Sequence, residues 1–148
     1  MTPRGLVPAV VLALAVASRA PVAAQVDGTL AVGDSVHDSL TAQSRRLPAE
    51  STYAREWGFR GRAGETVTID VASDAFDAYV FLLGPGFDAG PPQDDDSGGR
   101  CNARLAVRLP RSGDYIIVVT STDKNATGPF TLALTAGVRP PVLAPCRR

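Results

Sequence analysis

The sequence has one histidine, His37, and two cysteines, Cys101 and Cys146. A Ser-His-Asp triad needs a histidine base, and His37 lies in "DSVHDSL", a segment that predicts an early, peripheral strand. The motifs G-x-S-x-G and H-E-x-x-H do not occur in the sequence. One histidine and two distant cysteines do not supply the four ligands of a zinc site. We therefore expect a protein that is not an enzyme, and a small hydrolase is the least favoured function.

Basic stripes and long apolar runs are also missing. The Arg and Lys residues are scattered, which argues against nucleic acid as a partner. The longest apolar run, Leu6 to Val16, is too short for a membrane span, which needs about 20 residues. It follows Arg4 and precedes small residues at positions 22–24, the arrangement of a secretory signal peptide. We expect residues 1–24 to be cleaved near Ala24 and the mature protein to be secreted or periplasmic.

In an exported protein, an isolated pair of cysteines most simply forms one disulfide. We predict this bond between Cys101 and Cys146. It would connect a Pro-rich tail, residues 137–148, to a single domain that spans residues 25–136.

Short alternating segments separated by turn residues dominate the rest of the chain, and no segment shows a sustained 3.6-residue period. "ETVTIDVAS", "ARLAVRLP" and "PFTLALTA" each have one apolar and one polar face. "AYVFLLG" and "DYIIVVTS" are apolar on both faces, which predicts central strands. With "REWGFRG" and "GDSVHDSL", the pattern predicts an all-β fold, an antiparallel β-sandwich of jelly-roll type with seven or eight strands.

Two of these segments carry more specific predictions. "LPRSGDYIIVV" places a strand, a turn and a strand within a few residues, which predicts a β-hairpin. Trp57 and Phe59 lie on one face of "REWGFRG" and offer a large apolar area. Side chains of this kind are more often part of a core than of a ligand site, so we expect them to be buried.

Between Ala63 and Gly99 the chain carries eight acidic residues and no Arg or Lys, and three of the acids are adjacent in "QDDDSGG". Like charges about 4 Å apart repel by roughly 4 kcal/mol at an effective dielectric constant of 20. The acids therefore either spread into water or bind a cation, and Ca²⁺ prefers such oxygen ligands. An EF-hand is excluded, because Leu105 occupies its twelfth position. The candidate ligands come from two loops: Asp74, Asp77, Asp94, Asp95 and Asp96.

The order of these segments resembles the bacterial pre-peptidase C-terminal domain, an accessory domain of secreted peptidases that is similar to collagen-binding domains. The resemblance runs from Gly28 to Thr135, and its sharpest elements are "AGETVTIDVASDAFDAYVFLL", "QDDDSGG" and "LPRSGDYIIVV". It implies a jelly-roll sandwich without catalytic residues of its own. Because some members bind calcium, it also implies Ca²⁺ at Asp74, Asp77 and the aspartates of "QDDDSGG".

We therefore expect a secreted, non-catalytic binding or accessory module that is stabilised by calcium. Its expected partner is an extracellular protein or polysaccharide surface. The alternative is a partner subunit or inhibitor that acts in trans on a secreted peptidase.

Overall fold

A computed structural model describes residues 25–147, so the predicted signal peptide lies outside the described residues. The described residues form ten β-strands and contain no helix long and apolar enough to cross a membrane. Seven of the strands are the seven predicted from alternation, and three very short ones add to them. The strands are β1 (Gly28–Thr29), β2 (Ser35–Leu40), β3 (Arg45–Leu47), β4 (Thr52–Gly61), β5 (Thr66–Ala72), β6 (Ala78–Leu83), β7 (Gln93–Asp94), β8 (Ala103–Arg108), β9 (Gly113–Ser121) and β10 (Gly128–Ala136).

The strands form two sheets that pack face to face, which confirms the predicted β-sandwich. The six-stranded sheet has the order β1-β4-β9-β6-β7, with β3 also paired to β4. The four-stranded sheet has the order β2-β10-β5-β8. All pairs are antiparallel except β1 with β4.

The core lies between the sheets and is made by alternate residues of the long strands. Val67, Ile69 and Val71 of β5 are fully buried, and so are Val80 and Leu82 of β6 on the opposite sheet. Burial of each side chain of this size contributes roughly 1.5–3 kcal/mol. The period-2 pattern in the sequence thus fixes which face of each strand turns inward.

The predicted hairpin in "LPRSGDYIIVV" is wrong. β8 pairs with β5 in one sheet, whereas β9 pairs with β4 and β6 in the other, so the turn crosses the sandwich. The N–H of Leu109 donates to the carbonyl of Glu65 at 2.8 Å, which keeps the end of β8 beside the start of β5. Tyr115, fully buried at the start of β9, donates its hydroxyl to the carbonyl of Arg111 at 2.5 Å and fixes the crossing turn.

Trp57 and Phe59 pack on the core side of β4, as predicted. Phe59 is 5% exposed and stacks on Tyr115, with ring centroids 5.4 Å apart. Trp57 is half-buried against the core, and its indole N–H donates to Asp38 at 3.2 Å. Neither residue is free to form a ligand platform.

The tail after β10 crosses the outward side of the four-stranded sheet. The N–H of Arg139 donates to the hydroxyl of Thr68 at 3.0 Å, and the N–H of Val142 donates to the carbonyl of Ser97 at 2.9 Å. The predicted disulfide between Cys101 and Cys146 is present, with the two Cα atoms 4.5 Å apart. The tail therefore covers part of this outward side, and exposed residues remain on both edge strands, β2 and β8.

Candidate binding surface

The outward side of the six-stranded sheet is apolar along its two central strands. Alternation on β6 directs Val80 and Leu82 into the core and Tyr79, Phe81 and Leu83 to the outside. Leu83 is 38% exposed, and Tyr79 and Phe81 are half-buried. This is the second apolar face that the sequence pattern of β6 predicts.

Strand β9 extends this surface. Ile116 pairs with Leu83 and Val118 pairs with Phe81, so their side chains lie on the same outward side. Ile116 is half-buried, whereas Val118 is 1% exposed. We call this surface the outer face and define it by Tyr79, Phe81, Leu83, Ile116 and Val118.

On the β4 side, the outer face is bounded by polar groups with protein partners. Glu56, 7% exposed, forms an ion pair with Arg45 of β3. Thr120 is buried, and its hydroxyl donates to the carbonyl of Tyr53 at 2.7 Å. Since these groups are hydrogen-bonded, their burial carries no large desolvation penalty.

A cavity of about 270 Å³ lies at one end of the outer face, where Tyr79 and Phe81 meet the loop before β4 and strand β7. The Tyr79 hydroxyl donates to Oε1 of Gln93 at 2.5 Å, and the Tyr79 and Phe81 ring centroids are 6.1 Å apart. We call this cavity the Tyr79 pocket; it is lined by Leu47, Glu50, Thr52, Tyr79, Phe81, Pro91, Gln93, Thr120 and Ser121.

The electrostatic environment of Tyr79 reflects this position. Burial raises the pKa of the Tyr79 phenol, and the negative charges of Asp95 and Glu50 raise the pKa further. The phenol is therefore neutral and protonated at physiological pH. Asp95, the middle aspartate of "QDDDSGG", acts on the Tyr79 pocket through its charge.

A larger cavity of about 480 Å³ lies at the opposite end of the outer face. Val26, Gly58 and Ile116 contribute to its lining, and the Val26 side chain lies over Gly58. An exposed ion pair between Arg60 and Asp114, at 3.1 Å, borders this cavity. The outer face is thus an apolar strip with a pocket at each end.

The predicted calcium ligands have different surroundings. Both carboxylate oxygens of Asp94 are engaged: they accept the Ser97 hydroxyl at 2.5 Å, the Ser97 N–H at 3.0 Å and the Arg104 N–H at 2.8 Å. Asp95 and Asp96 are exposed. Asp94 therefore closes a turn and attaches it to β8, while its two neighbours face solvent.

The other two predicted ligands lie in the loop before β6. Asp74 is exposed, and Asp77 is half-buried with its Oδ2 3.5 Å from the Cys146 sulfur. In residues 25–147, the one group of three potential ligands within 4.8 Å consists of Asp77, Cys101 and Cys146, whose sulfurs are joined in the disulfide. As placed, the five predicted aspartates do not form a calcium cage, and calcium binding stays a prediction.

His37 is exposed on β2, and its Nδ1 is 3.0 Å from the hydroxyl of Thr131, its cross-strand neighbour. The position matches the peripheral strand predicted from the sequence. His37 thus takes part in a surface strand pair.

Several solved structures are similar to this chain in fold. The pre-peptidase C-terminal domain of collagenase from Bacillus anthracis matches 75% of this chain and 97% of its own length, with a TM-score of 0.58 and 11% identity. The chain has the fold of a pre-peptidase C-terminal domain. This confirms the resemblance at the level of the fold.

A second solved structure similar to this chain is the periplasmic inhibitor of g-type lysozyme from Aeromonas hydrophila. It matches 72% of this chain and 88% of its own length, with a TM-score of 0.53 and 21% identity. No model of a known protein family matches the chain, and no curated protein matches it in sequence. The disulfide between Cys101 and Cys146 of this chain fits an exported protein.

Proposed function

We propose that this chain is an exported, non-catalytic module that binds an extracellular protein or polysaccharide surface through the outer face. The observation that carries the proposal is the partly exposed apolar strip along β6 and β9, in which Leu83 is 38% exposed, with a pocket at each end. Contiguous apolar patches of this kind commonly mark interaction sites. The tail already covers part of the other sheet, which favours the outer face for recognition.

The reactive side chains among the described residues fit a binding function better than a catalytic one. His37 pairs with Thr131 on the surface, and both cysteines are in the disulfide. Asp94 accepts hydrogen bonds from the N–H groups of Ser97 and Arg104, which gives it a structural role in its turn. The two similar structures are a domain of a collagenase and an inhibitor of a g-type lysozyme, and the inhibitor acts on another macromolecule.

The experiment compares retention of the mature chain on insoluble collagen, on peptidoglycan and on immobilised g-type lysozyme. Replacing Leu83 and Ile116 by serine removes apolar area from the outer face without adding charge. We expect the double variant to lose roughly tenfold in affinity for the support that retains the native chain, given about 25 cal/mol per Å² of apolar area.

Leu143→Ser is the matched control, since Leu143 is 96% exposed on the tail. It should bind like the native chain. Equal retention of the native chain, the control and the double variant would exclude the outer face as the binding surface.

Inhibition in trans is a second candidate function, favoured by the likeness to the lysozyme inhibitor. It predicts that the purified chain slows turnover by a g-type lysozyme or a secreted peptidase, with a dose dependence that saturates. Binding without any loss of turnover would favour the accessory module instead.

A further inference from the structure

The Tyr79 pocket combines aromatic walls, a carboxylate and a polar rim, which is an unusual set for a surface that is otherwise apolar. Tyr79 and Phe81 supply aromatic rings, and Glu50 supplies a negative charge in the lining. The cavity, at about 270 Å³, is far larger than the roughly 30 Å³ occupied by one water molecule. It is large enough to receive a side chain of a bound polypeptide.

Among the described residues that line this pocket, the one charged residue is acidic. Its lining includes Glu50 but no Arg or Lys. The arginines of the adjacent strand β3 are engaged elsewhere, because Arg45 pairs with Glu56 and Arg46 lies over the ring of Tyr53. Exposed Asp95 adds a second negative charge that acts on Tyr79.

We propose that the Tyr79 pocket binds a lysine or arginine side chain of the polypeptide held on the outer face. The cation would lie against the Tyr79 ring and near Glu50, an arrangement that combines a cation–π contact with charge attraction. The Tyr79 hydroxyl already donates its proton to Gln93, so its oxygen is directed to accept a hydrogen bond from the incoming N–H.

This inference rests on the proposed function, because the pocket opens onto the outer face through Phe81. When a cationic side chain of the bound polypeptide occupies the pocket, the residues next to it in that polypeptide would lie over Phe81 and Leu83. The expected partner is therefore a basic polypeptide with apolar residues next to its lysine or arginine, rather than a free amine or a neutral polysaccharide.

The probe is the peptide acetyl-Leu-Lys-Leu-amide, and its uncharged control replaces lysine by norleucine, which keeps the alkyl chain and removes the ammonium group. Amide resonances of the ¹⁵N-labelled mature chain report where each peptide binds. We expect the lysine peptide to shift the resonances of Tyr79 and Thr120 and to bind about fivefold more tightly than the norleucine peptide. Because exposed charges are screened by salt, this preference should shrink at high ionic strength.

Two variants test the residues, and one serves as a control. Glu50→Gln and Asp95→Asn should each reduce the preference for lysine by about twofold to fivefold. Asp114→Asn should leave it unchanged, since Asp114 lies six residues along β9 from Thr120, about 20 Å away. All three variants replace an exposed or lining carboxylate by its neutral amide, so their folds should be comparable.

Equal affinity for both peptides, or shifts confined to residues outside the Tyr79 pocket, would overturn the inference. Suppose that both peptides bind equally but the Leu83→Ser, Ile116→Ser variant still loses its retention on the support. The outer face is then the binding surface, as in the proposed function, but its partner is not a basic polypeptide. Suppose instead that the lysine peptide is preferred but the Leu83→Ser, Ile116→Ser variant is retained on the support like the native chain. The outer face is then not the main binding surface, and the proposed function is wrong.

Discussion

Asp94 shows how much a single side chain in the acidic loop contributes to structure. Its two carboxylate oxygens accept three hydrogen bonds, from the Ser97 N–H, the Ser97 hydroxyl and the Arg104 N–H. These bonds close the turn after β7 and connect it to β8. Asp96, two residues along, is exposed and has no such role in the described chain.

Asp94→Ala should therefore lower the free energy of unfolding by about 1–3 kcal/mol, because it leaves donors of the turn without their acceptor. Asp96→Ala should change it by less than about 0.5 kcal/mol. Urea denaturation of the two variants and the native chain provides the measurement. Equal midpoints for the two variants would show that Asp94 does not hold the turn.

The raised pKa of Tyr79 predicts how the free energy of unfolding changes at alkaline pH. Burial and the charges of Asp95 and Glu50 raise the pKa of its phenol in the folded state, so the unfolded chain loses this proton first as the pH rises above about 10. The contribution of Tyr79 to stability is thus present below about pH 10 and lost as the pH rises through the pKa of the folded state. Unfolding free energies measured across this range should fall less steeply for Tyr79→Phe than for the native chain, and parallel curves would contradict the assignment.

At the scale of elements, the two acidic loops carry the calcium prediction. Ca²⁺ that binds the native state at ten times its Kd stabilises it by about 1.4 kcal/mol. We expect several-millimolar Ca²⁺ to raise the melting temperature relative to EDTA, and the exchange of Asp95 and Asp96 for asparagine to remove the shift. Both residues are exposed, so this variant spares the turn that Asp94 closes. Superimposable melting curves in Ca²⁺ and in EDTA would refute calcium binding.

The tail and its disulfide form a second element with a measurable contribution. Cys101 and Cys146 are 45 residues apart, and the chain-entropy model assigns a loop of this length about 4 kcal/mol. Replacing both cysteines by serine should lower the free energy of unfolding by an amount of this order. Arg139→Ala, which removes the ion pair of the tail with Asp70 but keeps the disulfide, should cost far less.

Reduction of the native chain should reproduce the effect of the double serine variant. A urea midpoint that does not respond to reductant would show that the disulfide contributes little to stability.

At the scale of the whole molecule, much of the fold follows from alternation in the sequence. The seven long strands were predictable because one face of each is apolar, as in Val67, Ile69 and Val71 of β5. The very short strands β1, β3 and β7 carry too few residues for a period to show. The crossing turn after β8 could not be predicted, since a hairpin and a crossing turn share the same local residues and differ in their distant partners.

The candidate site was less accessible to prediction. The apolar second face of β6 and β9 was visible in the sequence, but two-sided apolar strands predict full burial, whereas Leu83 is 38% exposed. The Tyr79 pocket joins Glu50, Tyr79 and Gln93, which only tertiary folding brings together. Likewise, the acid-rich window contains no arginine, yet Asp70 is paired with Arg104 and Arg139 from outside it.

The position of β10 has a consequence for the order of folding. This strand, close to the C-terminus, is the middle partner of both β2 and β5. A chain made from its N-terminus cannot complete the four-stranded sheet until almost all of it has been synthesised. Because such distant pairings close slowly, we expect the four-stranded sheet to be completed late in folding.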